Sequence, residues 1–268
     1  PAGHMVVREL ERRPLRTLGS SLAIAASVGL LVVAGWYRDG LDALLDTQFH
    51  EVMREDVLVS FTDPRPARAI GELRHLPGVL DAEGLRTVPV RFRRGHRRRD
   101  GSVLGYPDET TLRSPRDKRG RAHPLPPRGI VLTETLGQIL ELEVGDRLVL
   151  EVREGRREAV RVAVAGFVDE SFGLQGHMRA EALEAALGQP PLVSSALLRV
   201  DPRRVEALER ALADLPRVAA VTRKAEVLAQ FEAQSAEMIA VMTLIITLFG
   251  ATITVGVVYN NARVALSM

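Results

Sequence analysis

Six arginines between residues 91 and 99 form the densest run of charge in the chain. They are Arg91, Arg93, Arg94, Arg97, Arg98 and Arg99, with Phe92 as the only aromatic residue among them. A guanidinium group binds phosphate or carboxylate oxygens through paired hydrogen bonds. The run therefore predicts a contact with anionic lipid headgroups or with an acidic partner. The alternative is that the run is the solvated tip of a hairpin, which is more common for such runs.

Motifs for enzyme chemistry are missing from the sequence. It has no Gly-x-x-x-x-Gly-Lys phosphate loop and no Gly-x-Ser-x-Gly elbow, and the absence of cysteine excludes thiolate metal sites and disulfides. The pair Asp169-Glu170 is interpreted as a solvated strand end rather than an acid–base pair. Isolated histidines, without zinc-ligand spacing, are His50, His75, His96, His123 and His177. We expect a non-enzymatic chain with no catalytic, cofactor or metal site.

Composition also argues against nucleic acid as a partner. The formal net charge is only +2, and aromatic residues make up 4% of the sequence. Between residues 38 and 237 the acidic and basic residues nearly balance. Such a segment lacks the basic surface and the stacking platforms that nucleic-acid binding requires.

Two long apolar segments contain no charged residue, from Thr17 to Tyr37 and from Met238 to Ala262. Crossing the ~30 Å hydrocarbon core of a bilayer takes about 20 apolar residues in a helix. We therefore predict transmembrane helices over residues 18–37 and 238–258. Trp36-Tyr37 at the end of the first is typical of an interfacial anchor.

The distribution of charge predicts the orientation of both helices. Arginines precede the first span, whereas Asp39, Asp42 and Asp46 follow it. Because positive residues stay on the cytoplasmic side, residues 6–17 and 259–268 are predicted to be cytoplasmic and residues 38–237 extracytoplasmic, in the cell (inner) membrane. Residues 1–5 are typical of a cloning remnant.

Each predicted span carries a stripe of small or hydroxylated residues at helical spacing. Such stripes let helices pack closely, although scattered small residues in an alanine-rich chain are an alternative. The predicted packing positions are Gly19, Ala23 and Ser27 in the first span and Thr243, Thr247, Gly250 and Thr254 in the second.

The extracytoplasmic segment contains an internal repeat. Val57–Phe61 and Ser195–Val200 are each followed by Asp-Pro-Arg, then by a helical pattern, a proline and a short apolar run. Asp63 and Asp201 would cap the two helices, with proline at the first helical position. Two strand–helix–strand units predict an α+β, ferredoxin-like repeat, formed by residues 54–105 and 191–225.

Residues 106–190 are predicted to be a β-rich insertion. Before it, a hairpin is expected over 85–105 with Asp100-Gly101 as its turn. The expected elements of the insertion itself are a loop over 107–128, strands at 130–132, 147–152 and 159–168, and helices at 136–142 and 180–187. Residues 38–53 and 226–237 have apolar residues at helical spacing. They are predicted to be stalks that link the domain to the membrane.

The two ends of the chain resemble the MacB/FtsX-like permeases of ABC transporters. Leu10-Glu11-Arg12-Arg13-Pro14-Leu15-Arg16-Thr17-Leu18 precedes the first span, and Val257-Val258-Tyr259-Asn260-Asn261-Ala262-Arg263-Val264-Ala265-Leu266-Ser267 follows the second. In that family a βαβ-repeat "porter" part with an inserted β-rich "sabre" part lies between two spans. The resemblance assigns residues 54–105 and 191–225 to the porter-like part and 106–190 to the sabre-like part.

The resemblance implies a permease subunit that transmits ATP-driven motion to its outer domain. ATP and Mg²⁺ would bind to a partner ABC ATPase. By the same resemblance, the cytoplasmic segment on the ATPase-coupling side begins with Tyr259, Asn260, Asn261 and Arg263. Further expected partners are membrane lipid and the remainder of the permease or a second copy, since family members continue beyond a point equivalent to Met268. The domain would handle a lipophilic, lipoprotein or peptide substrate or an envelope partner. A two-span receptor with a sensing domain and a membrane-anchored enzyme are the alternatives.

Overall fold

A computed structural model describes residues 52–265 apart from 119, 156, 157, 171 and 172, together with isolated helical positions before residue 52. For residues 253, 254 and 257–265 it describes the backbone alone. The predicted segments 1–5 and 6–17 lie outside the described residues. So do most of the first span and its stalk, including the stripe positions Gly19, Ala23 and Ser27.

The chain divides into two compact units, one formed by Leu44–Ala229 and the other by Pro1–Ala43 with Gln230–Met268. The described strands of the first unit are β1 (Val57–Pro66), β2 (Val79–Arg94), β3 (Arg97–Tyr106), β4 (Ile130–Thr133), β5 (Arg147–Val152), β6 (Ala159–Val168), β7 (Gln175–Arg179), β8 (Leu192–Val200) and β9 (Val218–Arg223). The described helices are α1 (Ala69–Arg74), α2 (Glu134–Leu140), α3 (Ala180–Leu187), α4 (Val205–Ala213) and α5 (Lys224–Ala265).

Four strands form an antiparallel sheet in the order β9–β1–β8–β2. Helix α1 connects β1 to β2, and α4 connects β8 to β9, so each half is a strand–helix–strand unit. Both helices bury leucines against alternate residues of the strands, which is how a sheet and an amphipathic helix share one core. The cluster includes Val57, Val59, Leu73, Ala196, Leu198, Leu208 and Leu212.

Six strands close into a barrel in the order β2–β5–β6–β4–β7–β3, with β3 paired back to β2. Its interior holds alternate apolar residues such as Val88, Val90 and Phe92, joined by leucines of α2 and α3. Strand β2 belongs to both sheets, since it pairs with β8 up to Leu85 and with β3 from Arg86 onward. The sheet therefore gives way to the barrel inside β2, between Leu85 and Arg86.

Several predicted elements of the insertion are confirmed. Strands β5 and β6 and helix α3 have the predicted bounds, and β4 and α2 lie within one or two residues of them. The predicted turn at Asp100-Gly101 was wrong. The hairpin turns at Gly95-His96, where Gly95 has φ +57°, and both Asp100 and Gly101 lie within β3.

The two Asp-Pro signals have different outcomes. Asp201 caps the second helix as predicted, since its Oδ1 accepts a hydrogen bond from Arg203 N at 3.0 Å and Pro202 opens a 3₁₀ turn before α4. Asp63 does not cap α1. Strand β1 continues through Pro66 beyond a register shift between Ser60 and Arg65, and such a shift tolerates a proline that lacks an N–H donor.

Helix α5 begins in the first unit and continues into the second. Within Lys224–Thr252 an 18-residue window has a mean hydropathy of 1.7 and is 6% buried. Among the described residues it is the one helix that is long and apolar enough to cross a membrane. The stripe positions Thr243 and Thr247 are exposed and Gly250 is half-buried, so their packing role stays a prediction.

Candidate functional site

The segment before β1 and the start of α5 lie side by side. Lys224 N, at the start of α5, donates to Asp56 O at 2.9 Å, and its Nζ lies 3.3 Å from Met53 O. Asp56 is anchored to the sheet, because its Oδ2 accepts from Val200 N at 2.9 Å. Antiparallel pairing of Val57 with Arg223 causes this arrangement. Both connections thus leave from one end of β1 and β9.

A buried ion pair ties this region to the loop that follows β3. The Arg113 guanidinium pairs with Glu55, and the two side chains are 14% and 2% exposed. Arg54 N donates to Leu112 O at 2.9 Å. Breaking such a pair leaves an uncompensated buried charge. We call Met53–Asp56, Thr110–Arg113 and Lys224 the junction.

Glu83 of β2 holds the other side of the same loop. Its carboxylate accepts from Thr110 Oγ1 at 2.7 Å, from Thr111 N and Oγ1 at 2.7 and 2.8 Å, and from Leu112 N at 3.2 Å. Leu112 itself is buried with Leu85 and Leu197, on strands of the four-stranded sheet, and with Leu104 and Tyr106 of β3. The loop therefore connects the sheet to the barrel.

A buried aromatic pair lies at the barrel end of this cluster. Tyr106 Oη is 3.2 Å from His177 Nδ1, and the two rings stack with centroids 5.9 Å apart. Burial raises the pKa of Tyr106, and the nearby Glu170 carboxylate raises it further. The phenol therefore stays protonated, and the direction of its hydrogen bond with Nδ1 depends on the His177 tautomer. His177 Nε2 is 3.2 Å from Glu170 Oε2 but is not aligned for a hydrogen bond.

An open, largely apolar cavity of about 560 Å³ adjoins the junction. Val57, Val200, Val205 and Leu228 line it, with Glu206 and Arg223 among its charged groups. A more polar cavity of about 440 Å³ lies where β5 and α3 end, lined by Glu154, Glu158 and Gln189. Arg86, which is buried, pairs with Glu154 there. No group of three or more metal-type ligands lies together in the described part of the chain.

The structure separates the six predicted arginines into different roles. Arg91 forms two hydrogen bonds to Asp100, at 2.8 and 3.0 Å, which lower the pKa of that carboxyl group. Arg93 pairs with Glu151 at 2.5 Å. Arg98 and Arg99 are exposed. The run is therefore largely neutralised within the barrel and is not one free cationic tip.

Arg94 and Arg97 hold the end of α2. They approach the carbonyl oxygens of Leu140 and Ile139 at 3.4 and 3.3 Å and pair with Asp146 and Glu141 at 2.8 and 2.5 Å. The last carbonyls of a helix lack partners within it, so cations there are stabilising. These two arginines fix α2 against the barrel.

The remaining predicted residues have separate places. Asp169 pairs with Lys118 at 2.7 Å, whereas its neighbour Glu170 faces His177. Tyr259, Asn260, Asn261 and Arg263 are described only as helical backbone in α5, and the side chain of Thr254 is not described. Their predicted roles stay predictions.

Sequence reasoning found neither the junction nor the buried charged residues of β2. The signal for those residues is a charge at a core position, since Glu83 and Arg86 interrupt the apolar run of β2 and are both buried. Buried charges are rare unless they are paired. Their partners, Thr111 and Glu154, are far away in the sequence, so a single sequence gives no means of naming them.

Comparisons with known proteins match this fold only among solved structures. No family model matches the sequence, and no curated protein does. The periplasmic region of MacB from Actinobacillus actinomycetemcomitans is 10% identical, with a TM-score of 0.45 over 69% of this chain and 95% of that one. The extracellular domain of the noncanonic ABC-type transporter YknZ from Gram-positive bacteria is 12% identical, with a TM-score of 0.38 over 66% and 94%.

The matched structures are a periplasmic region of MacB and an extracellular domain of YknZ, and this chain is similar to both. The MacB and YknZ matches each cover about two thirds of this chain and nearly all of the matched domain.

Proposed function

We propose that this chain is the part of an ABC transporter permease that carries its extracytoplasmic domain, and that ATP hydrolysis by a cytoplasmic partner moves that domain. The chain would itself be non-catalytic, with ATP and Mg²⁺ bound by the ATPase. A second permease copy or the remainder of the permease would complete the transporter. The domain would act on a lipophilic, lipoprotein or peptide substrate or on an envelope partner.

One observation supports the proposal most directly, the hydrogen bonding of Lys224 to Asp56 and Met53. Movement of α5, or of the segment before β1, would act on the same end of the sheet. Through Glu55, Arg113 and Glu83 the force would then reach the loop, β2 and the barrel. Buried, directional contacts transmit displacement better than exposed ones, because packed interiors deform little.

Two finer features belong to this proposal. The strand order β9–β1–β8–β2, antiparallel throughout and with one helix in each half, supports a ferredoxin-like repeat as the porter-like part. The charge-free segments support two spans, with residues 38–237 outside the cytoplasm.

The test uses the full-length permease, co-expressed with a candidate ABC ATPase from the same organism and reconstituted in nanodiscs. We expect a complex that hydrolyses ATP, and nucleotide-dependent changes in amide hydrogen exchange in β1, β9 and the barrel. The double variant Glu55→Leu with Arg113→Met should fold, because replacing a buried ion pair by apolar residues is often close to neutral. It should lose the nucleotide-dependent change in the barrel while keeping that in β9.

A matched control removes an exposed pair, Lys118→Met with Asp169→Leu, and should leave the exchange response intact. If no ATPase associates and no nucleotide response exists in the wild type, the proposed function is wrong, and a receptor becomes the better hypothesis. If the wild type responds and the double variant responds equally, the function stands and the junction does not carry the motion.

A further inference from the structure

One outer face of the barrel carries a row of four residues in register across four strands, and three of the four are arginines. Antiparallel pairing places Arg98 of β3 opposite Arg93 of β2, Arg93 opposite Val149 of β5, and Val149 opposite Arg161 of β6. With neighbouring strands about 4.8 Å apart, this row extends roughly 14 Å. Arg147 of β5 lies two residues before Val149 and on the same face of the strand. We call this row, with Arg147, the basic face.

Three of these arginines are not neutralised within the fold. Arg93 pairs with Glu151, but Arg98, Arg147 and Arg161 are exposed and form no ion pair with any residue in the described parts of the chain. The unpaired charge is therefore spread over three strands. The sequence indicated only the hairpin run, because Arg147 and Arg161 are far from residues 91–99 in the chain.

The arrangement does not favour folding. Like charges directly opposite each other on neighbouring strands are destabilising, and Arg93 and Arg98 are such a pair. A residue that lowers stability without a structural gain is expected where a surface has another role. Arg98 is such a residue, since a carboxylate at its position would pair with Arg93 and stabilise the fold.

The next row of the same face determines which partner fits. Asp100, Arg91, Glu151 and Ala159 lie in register beside the basic row. Asp100 and Glu151 already pair with Arg91 and Arg93, so the second row offers no free positive charge to a lipid surface or a uniform polyanion, which presents negative charge to both rows. A protein segment can place carboxylates against the arginines only, while Val149, Ala159 and Ala163 offer small, flat apolar contacts between them.

We propose that the basic face docks an acidic, extended segment of a partner protein, with carboxylates paired to Arg98, Arg147 and Arg161. Guanidinium–carboxylate pairs are bidentate and directional, so the spacing of the arginines would select the spacing of the acids. This inference is independent of the ATPase.

The test uses the full chain in phosphatidylcholine nanodiscs and an alternating glutamate–threonine peptide long enough to cross four strands. We expect salt-sensitive binding, at least tenfold weaker in the variant Arg98→Glu, Arg147→Glu, Arg161→Glu. The matched control, Arg68→Glu, Arg203→Glu, Arg217→Glu, reverses three exposed arginines elsewhere in the unit and should bind like the wild type. An alternating glutamine–threonine peptide should not bind.

The melting temperature separates binding from folding. The triple variant of the basic face should melt at or above the wild-type temperature, because its carboxylate at position 98 would face Arg93, so weaker binding would not reflect unfolding. Absence of peptide binding, or equal loss in both triple variants, would overturn the proposal. Binding to phosphatidylglycerol vesicles that is stronger than binding to the peptide and lost in the same variant would also overturn it, by assigning the face to lipid headgroups.

Discussion

Single buried carboxylates organise the contact between the sheet and the barrel. Glu83 accepts four hydrogen bonds from three consecutive residues of one loop, and Glu55 pairs with the next residue, Arg113. A carboxylate can accept several donors at once, which an amide or hydroxyl group cannot do as well. Acidic residues at core positions of β2 and before β1 therefore replace secondary structure in ordering this loop.

Replacing Glu83 with alanine should lower the free energy of unfolding by about 2–4 kcal/mol, because the buried N–H group of Leu112 and the part-buried N–H group of Thr111 would lose a charged acceptor. Denaturant titration measures the loss, and amide exchange at Thr111 and Leu112 should quicken. The exposed neighbour Glu109 offers a control, since Glu109→Ala should change stability by less than about 0.5 kcal/mol. Equal effects of both substitutions would contradict the assignment.

Tyr106 makes the stability of the fold depend on pH in the alkaline range. Burial raises its folded-state pKa above that of an unfolded tyrosine, about 10. Below pH 10 both states are protonated and stability does not depend on this group. Above pH 10 the unfolded chain ionises first, so stability should fall by up to ~1.4 kcal/mol per pH unit.

The measurement for Tyr106 is a comparison of unfolding at pH 9 and about pH 11 in the wild type and in Tyr106→Phe. Phenylalanine cannot ionise, so the variant should lose the part of the pH dependence that Tyr106 contributes. Identical pH profiles would show that the phenol ionises in the folded state at its ordinary pKa.

At the level of elements, sequence periodicity predicts the bounds of those strands and helices that depend on local signals. Strands β5 and β6 have clean alternation and flanking turn residues, and α3 has a clear helical stripe, so their bounds were predictable. The Asp-Pro signal of β1 is locally the same as that of α4, and only pairing with β8 distinguishes them. Strand β7 was missed because Gly176 and His177 interrupt its pattern.

Barrel closure could not be predicted, since it depends on pairs far apart in the chain. Strand β3 pairs in parallel with β7, about seventy residues later, and such non-local pairs leave no mark in a single sequence. Glycine residues are the local sign of this closure in the sequence. A side chain at Gly101 or Gly176 would overlap atoms of a neighbouring segment of the chain.

Gly101→Ala should weaken the β3–β7 contact. An added Cβ would overlap the backbone carbonyl of Leu174 and lie 3.0 Å from the Phe92 ring, so the strands must separate at a cost of about 2–4 kcal/mol. Thermal unfolding and amide exchange in β7 report the change. Gly71 of α1 has no atom near its Cβ position, so Gly71→Ala should be neutral or stabilising by up to about 1 kcal/mol. If Gly101→Ala were equally neutral, the barrel would not be closed at this point.

On the scale of the whole molecule, the chain combines a unit with a conventional core and a unit whose described part is an exposed apolar helix. Unit Leu44–Ala229 buries its apolar residues in three clusters. Along α5, by contrast, large side chains such as Leu244, Leu248 and Phe249 are more than half exposed. Apolar exposure on this scale is unfavourable in water and favourable in lipid, which supports a membrane environment for this helix.

The absence of cysteine makes the membrane topology directly testable. Single cysteines introduced as Arg98→Cys and Ser267→Cys can be treated with a membrane-impermeant maleimide in intact cells. Because arginines before the first predicted span should remain in the cytoplasm, two spans place residue 98 outside and residue 267 inside. Position 98 should react at once, and position 267 only after permeabilisation. Leu148→Cys, at a fully buried position, should react only after denaturation. Labelling of position 267 but not of position 98 in intact cells would reverse the orientation, and labelling of both would place them on the same side, with no crossing between them.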